Sequence, residues 1–149
     1  MKKAIIIFTA ILGFSLLGAG ELPNLDWKVV NGKMANWSGL VVPAKDGVVL
    51  KKGISYSKQK YLIGKKRKVQ VTFTVQGKGS SIGLYYYSKQ GAILGGTQER
   101  FPNADSFKKF VAEFELPEMA KKQNVGSFRV YFTTPGNLQI KEVKMEFVD

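Results

Sequence analysis

Residues 68–91 read KVQVTFTVQGKGSSIGLYYYSKQG, and their reading decides the fold class. The first half alternates without a fault: Val69, Val71, Phe73 and Val75 fall on one side, Lys68, Gln70, Thr72 and Thr74 on the other. Successive side chains of a strand point to opposite faces, and β-branched residues suit that pleated geometry. This is therefore a strand with one buried face. Gly77, Lys78 and Gly79 supply a turn. The second half sets Ile82, Leu84 and Tyr86 on one face and Gly83, Tyr85 and Tyr87 on the other. A sandwich strand needs only one apolar face, so Tyr85 and Tyr87 are left over and ask for a purpose.

Outward from these two strands the pattern repeats. FVAEFEL (110–116) buries Phe110, Ala112, Phe114 and Leu116 and exposes Val111, Glu113 and Glu115 before Pro117 stops it. SFRVYFTT (127–134) alternates Phe128, Val130 and Phe132 with Arg129, Tyr131 and Thr133. LQIKEVKMEFV (138–148) changes phase at Lys141 and Glu142, which predicts a β-bulge. Shorter strands fit GVVLK (47–51) and GISYS (53–57), and only PEMAKKQN (117–124) suits a helical turn. Many short strands between turn signals specify an all-β, two-sheet antiparallel sandwich.

The chain starts with Lys2 and Lys3, an apolar run from Ala4 to Leu17, and small residues. That pattern predicts a signal peptide over residues 1–20, with Gly18 and Gly20 placed for cleavage before Glu21. The run is short for a bilayer span, and no later segment is apolar enough to cross. The expectation is a secreted or periplasmic protein whose residues 21–149 form one domain, a monomer large enough to bury a core without disulfides. Removing Lys2 and Lys3 leaves 21 basic residues against 11 acids, a charge of +10 that favours anionic partners.

The segments NWSG (36–39), DGVVLKKG (46–53), the long stretch 61–91, FVAEFELPE (110–118), FRVYF (128–132) and GNLQIKEVKMEFV (136–148) follow one another in an order of their own. In that order they resemble the carbohydrate-binding modules of the galactose-binding-like jelly-roll superfamily, over roughly Leu25 to Val148. The resemblance implies a jelly roll in which 69–75 shares a sheet with 110–116 and the closing strand. The tyrosine strand then shares the other sheet with 128–133 and 53–57. It also implies core packing for Trp37, while Trp27 is read as core filler from its size alone. Members carry acids in the closing strand, some of them at a calcium site. Here that position reads Lys141 and Glu142, so no metal is expected.

With that topology Tyr85, Tyr87, Arg129 and Tyr131 share one outer sheet face, and Gln98 and Arg100 of the loop GGTQERF (95–101) form its rim. Tyrosine offers sugar rings an apolar body and a polar tip, and Arg129 a charge-assisted hydrogen bond. The expected partner is a polysaccharide or other glycan, neutral or anionic. Strand propensity and cross-strand pairing would equally account for these tyrosines without any ligand. The alternative is a cationic structural or protein-interaction module of the cell envelope.

Other constellations point away from catalysis. The trio Glu113, Glu115 and Glu118 echoes the acid spacing of laminarinase-type β-sandwich glycosidases, but Pro117 would break the strand before Glu118. No histidine or cysteine occurs anywhere, which removes the commonest general base and thiol or zinc chemistry. Ser80 and Ser81 have no evident base beside them. No cofactor and no catalytic residue are expected. The run KKRK (Lys65 to Lys68), extended by Lys58 and Lys60, could grip anions or simply be a solvated turn. It lacks the interleaved aromatics that nucleic acid would need, so no nucleic acid is expected. QGKGSS (76–81) reads as a turn, and Asn36, Trp37 and Ser38 form an incidental glycosylation sequon.

Overall fold

The computed structural model describes residues 36–149, together with the backbone of two paired two-residue strands, β1 (Val29–Val30) and β2 (Lys33–Met34). The expected leader over residues 1–20 and Trp27 lie outside the described residues. The elements that follow are β3 (Trp37–Ser38), β4 (Val41–Pro43), β5 (Val48–Leu50), β6 (Gly53–Ser57) and β7 (Tyr61–Leu62). Then come β8 (Lys68–Gly77), β9 (Ser81–Ser88), β10 (Ile93–Arg100) and β11 (Ala104–Glu115). The last are β12 (Met119–Ala120), β13 (Gln123–Thr134) and β14 (Leu138–Val148).

Two antiparallel sheets face each other. One runs β11-β8-β14-β5-β4; the other runs β10-β9-β13-β6-β3, with β7 and β12 also paired to β13. The chain therefore passes from one sheet to the other between β3 and β4, β5 and β6, β7 and β8, β8 and β9, β10 and β11, β11 and β12, and β13 and β14. This is the jelly-roll arrangement, and the sheet partners are those the resemblance implied.

Each long strand turns its apolar parity inward. Val69, Val71, Phe73 and Val75 of β8 are buried, facing Ile82 and Leu84 of β9 and Phe128, Val130 and Phe132 of β13. Phe73 ties the layers together: its ring centroid lies 5.2 Å from Phe101, 5.7 Å from Phe110 and 5.7 Å from Phe132. The Phe101 and Phe132 contacts are edge-to-face, a geometry worth more than the area it buries. Trp37 is buried beside Phe132, as expected of a core residue.

The phase change in β14 is a register shift between Ile140 and Glu142. It leaves Lys141 exposed while Leu138, Ile140, Val143 and Met145 all stay buried. Gly77 ends β8 at φ +118°, and a Cβ there would stand 2.4 Å from the Asn137 carbonyl oxygen. Only glycine fits that turn.

Two expectations of local structure are corrected. PEMAKKQN forms no helical turn; Ala120 pairs with Gln123 across a two-residue hairpin, with Lys121 and Lys122 at φ 48° and 62°. Two positive φ values are what a type I′ turn demands, and the pairing to β13 outweighs the helix preference of Ala and Lys. GGTQERF is not a loop either: its first six residues belong to β10, an edge strand paired along β9.

Replacing Phe73 by Ala should destabilise the domain by about 3–5 kcal/mol in urea unfolding. Val111→Thr, on the outer face of β11, should stay within about 0.5 kcal/mol.

Candidate functional site

Antiparallel partners share a face, so the register fixes what sits together. In the sheet containing β9, Tyr85 lies opposite Arg129 and Gly96, Gly83 opposite Tyr131 and Gln98, and Tyr87 opposite Ser127 and Ile93. Tyr131 lies opposite Tyr56 of β6. Because Ile82, Leu84, Val130 and Phe132 occupy the core, all of these residues take the outer face. Tyr85, Tyr87, Arg129, Tyr131 and Gln98 are thus gathered on one surface, and Arg100 lies at its margin opposite Ser81.

Glycine gives this surface its shape. A Cβ on Gly83 would stand 2.4 Å from Tyr131 Cζ, so the phenol of Tyr131 crosses β9 through space that only glycine leaves open. Its hydroxyl donates toward Gln98 Oε1 at 3.3 Å, on β10. Tyr85 stacks against the same ring, with centroids 4.2 Å apart and planes 21° apart. Gly96 accommodates Tyr85 in turn, and Gly95 leaves room for Tyr86.

The rings do not all lie open. Tyr87 is 5% exposed and Tyr131 6%, whereas Tyr85 and Tyr56 are half-buried. Two cations cover Tyr87: Lys60 Nζ sits 4.3 Å from its ring centroid and the Arg129 guanidinium carbon 5.3 Å. Of the three tyrosines expected to face a sugar, Tyr87 and Tyr131 therefore have little open ring surface. Neighbouring side chains tile Tyr87 and Tyr131, and the accessible aromatic surface belongs to Tyr85 and Tyr56. Burial pushes the Tyr87 phenol above its ordinary range, with Arg129 pulling it part of the way back. Tyr131 is raised by burial and then by the nearby Tyr85.

Along one margin runs a chain of hydroxyls. Thr133 Oγ1 donates to Ser80 Oγ at 3.1 Å, Ser81 and Thr133 share a 2.5 Å contact, and Ser81 reaches Gln98 Oε1 at 3.4 Å. Ser80 and Ser81 thus belong to this rim. Sequence reasoning missed two members of the face, Tyr56 and Lys60. The alternation of GISYS marks Tyr56 once Ser55 and Ser57 point inward, and Lys60 was grouped with the basic run instead.

That basic run is largely occupied within the chain. Lys66 pairs with Asp149 at 2.8 Å, Arg67 donates to the Pro117 carbonyl at 2.8 Å, and Lys68 pairs with Glu113 at 2.8 Å. Glu113 also accepts from Gln70, and these contacts, the Lys68 hydrogen bond first, hold its carboxyl below the usual range. A glycosidase acid requires the opposite shift. Glu142 pairs with Lys144 at 3.0 Å, and no group of acids among the described residues could hold a metal ion. A cleft of about 650 Å³ at the end of the sandwich, lined by Leu62, Arg67, Ser88, Lys89 and Asn124 among others, lies apart from the stacked pair of Tyr85 and Tyr131.

No protein-family model and no curated protein matches the sequence. Solved structures match in shape. The CBM22-1 xylan-binding domain of Paenibacillus barcinonensis Xyn10C superposes with a TM-score of 0.58 at 10% identity, covering 88% of this chain and 97% of that one. The xylan-binding module CBM15 gives 0.53 at 14% identity, covering 87% and 99%. The family 11 carbohydrate-binding module of Clostridium thermocellum Lic26A-Cel5E gives 0.51 at 13%, covering 88% and 96%. The chain spans only 21% of a bacteriophage CBA120 tailspike protein 4 domain and 26% of an MgGH51 α-L-arabinofuranosidase. At such identities the likeness is one of fold, and the fold is a jelly-roll sandwich like that of carbohydrate-binding modules.

Gly83→Val should cost about 1–3 kcal/mol in urea unfolding, and Tyr131→Ala in the same chain should recover part of that loss. Glu113 should titrate below an ordinary glutamate by carbon-13 NMR and move upward in Lys68→Ala. Any contribution of this pair to stability is present above the ordinary carboxylate range and fades as pH falls through the depressed value.

Proposed function

We propose that this chain is a secreted, non-catalytic, monomeric carbohydrate-binding-like domain that holds a glycan weakly on the outer face of its seven-stranded sheet. Tyr85 and Arg129 form the contact surface, Tyr87 and Tyr131 back it with rings that neighbouring side chains cover, and Gln98 and Arg100 stand at the rim. The observation that carries this reading is the stacked pair of Tyr85 and Tyr131, positioned on an outer face by two glycines and edged by hydroxyls. The fold shared with modules named for xylan binding supports it.

The energetics favour weak binding. A sugar ring burying roughly 80–100 Å² on one tyrosine gains about 2 kcal/mol at about 25 cal/mol/Å². Two such contacts, for which Tyr85 and Tyr56 have the open surface, are largely offset by an association cost of at least about 4 kcal/mol, leaving roughly micromolar to millimolar affinity. Glu113, bonded to Lys68 and Gln70 on an open strand face, has no cleft or partner acid arranged around it among the described residues, which supports the non-catalytic part. The basic excess favours a second reading, a cationic envelope module without a specific sugar, which salt should release.

A glycan array at low and high salt separates the two. Tyr85→Ala should weaken the retained glycan about tenfold or more at either salt, while Lys65→Ala leaves it unchanged. If the Tyr85→Ala and Tyr87→Ala chains keep every interaction of the parent, the sugar face is wrong.

A further inference from the structure

The geometry points to an acidic sugar, one carrying a carboxylate or sulfate, as the residue recognised on Tyr85, with Lys60 and Arg129, the two cations that cover Tyr87, holding its anionic group. This rests on the carbohydrate-binding reading above and adds the class of sugar.

Three observations meet here. First, Lys60 and Arg129 come from different parts of the chain, the β6–β7 connection and the middle of β13, yet both converge on the ring of Tyr87. Two cations held against one ring make the surface around it positive, and an anion that reaches them there is attracted by both. Second, neither cation forms an ion pair with a carboxylate among the described residues. Arg129 Nε is buried with no hydrogen-bond partner there. Elsewhere on the molecule Lys66, Lys68 and Lys144 do find carboxylates. Third, no acid occupies an outward position on β3, β6, β9, β10 or β13. Glu99 lies opposite Ile82 and so takes the other parity of β10, while Glu113 and Glu146, both opposite Gln70, belong to the other sheet.

The arrangement suits a pyranose with one charged substituent. Tyr85 presents apolar surface for the ring's C–H face, and the planar guanidinium matches the oxygens of a carboxylate or sulfate, with the flexible Lys60 ammonium closing over them. A neutral sugar would leave the two cations uncompensated. General attraction of polyanions to a basic protein would not need these two residues in particular.

The test is a glycan array printed in matched pairs: oligogalacturonate with its methyl ester, glucuronoxylan oligosaccharide with unsubstituted xylo-oligosaccharide, and sulfated with unsulfated galactan. It is probed with the parent chain, Lys60→Gln, Arg129→Gln and Lys65→Gln, each checked for folding by circular dichroism and thermal unfolding. At least one acidic member should bind tenfold or more tighter than its neutral counterpart. Lys60→Gln and Arg129→Gln should each erase most of that difference, and Lys65→Gln should keep it. Which pair responds tells carboxylate from sulfate. Equal binding of acidic and neutral members overturns this inference and leaves the sugar face standing. Loss in Lys65→Gln as large as in Arg129→Gln overturns it in favour of diffuse charge, and no binding to any glycan overturns both readings. Should Arg129→Gln fail to fold, Lys60→Gln, altered in a connection at the surface, decides alone.

Discussion

The antiparallel register of β9 against β13 is the constraint from which the rest of the molecule follows. It sets Ile82 opposite Phe132 and Leu84 opposite Val130, four side chains that are all buried. Burying each is worth about 1.5–3 kcal/mol, so the pairing is held by several kcal/mol of apolar burial. A slip of β9 by one residue would exchange its two faces, bringing Tyr85 against the core and turning Leu84 outward. The aromatic outer face is therefore a by-product that cannot be lost without losing the interior. What is specific to this chain is how the outer residues are chosen.

Glycine and tyrosine divide that choice between them. An edge strand containing Gly95 and Gly96 is entropically poor, since glycine loses more freedom on ordering and packs nothing. Tyr86 and Tyr85 of β9 reach across those positions, and Tyr131 reaches across Gly83, so aromatic rings cover the gaps that glycines leave. The same contacts hold the phenols close to the sheet and let Tyr85 stack on Tyr131. Edge-strand stabilisation and site construction are in this sense one set of interactions. A substitution that fills a glycine should therefore disturb both stability and surface shape.

Much of this could be read from residue order, and the failures have identifiable causes. Strict alternation over 68–77 and 127–134 marks the buried parity of β8 and β13 because their two faces differ so sharply in polarity. The bulge in β14 shows as a break in the same alternation. β10 escaped notice because ILGGTQER has no apolar face to alternate; its strand conformation comes from pairing to β9. The hairpin at Lys121 and Lys122 escaped because lysine is a poor residue for positive φ, and only the β12–β13 pairing brings it there. For the site, parity on two strands gathers Tyr85, Tyr87, Arg129 and Tyr131 only together with the strand adjacency that the jelly-roll resemblance implies. Lys60 was out of reach of such reasoning, because its position over Tyr87 depends on where a connection between β6 and β7 crosses the sheet.

Charge is distributed by the same logic of faces. On the five-stranded sheet Lys68 and Glu113 stand on adjacent strands with Gln70 beside them, and Lys144 meets Glu142. Such exposed pairs add little to stability, since screening and side-chain entropy take back most of the attraction. Their effect is on the field: they neutralise one side of the sandwich locally. The seven-stranded sheet presents Arg129 and Arg100, with Lys60 from the β6–β7 connection, and no acid on its outer positions, so the charges around the tyrosines are positive. The net charge taken as a single number suggests only a generally sticky protein. Read by position, it leaves Arg129 and Lys60 beside the tyrosines with no acid on the same outer positions, on the surface that glycine placement and strand register assemble.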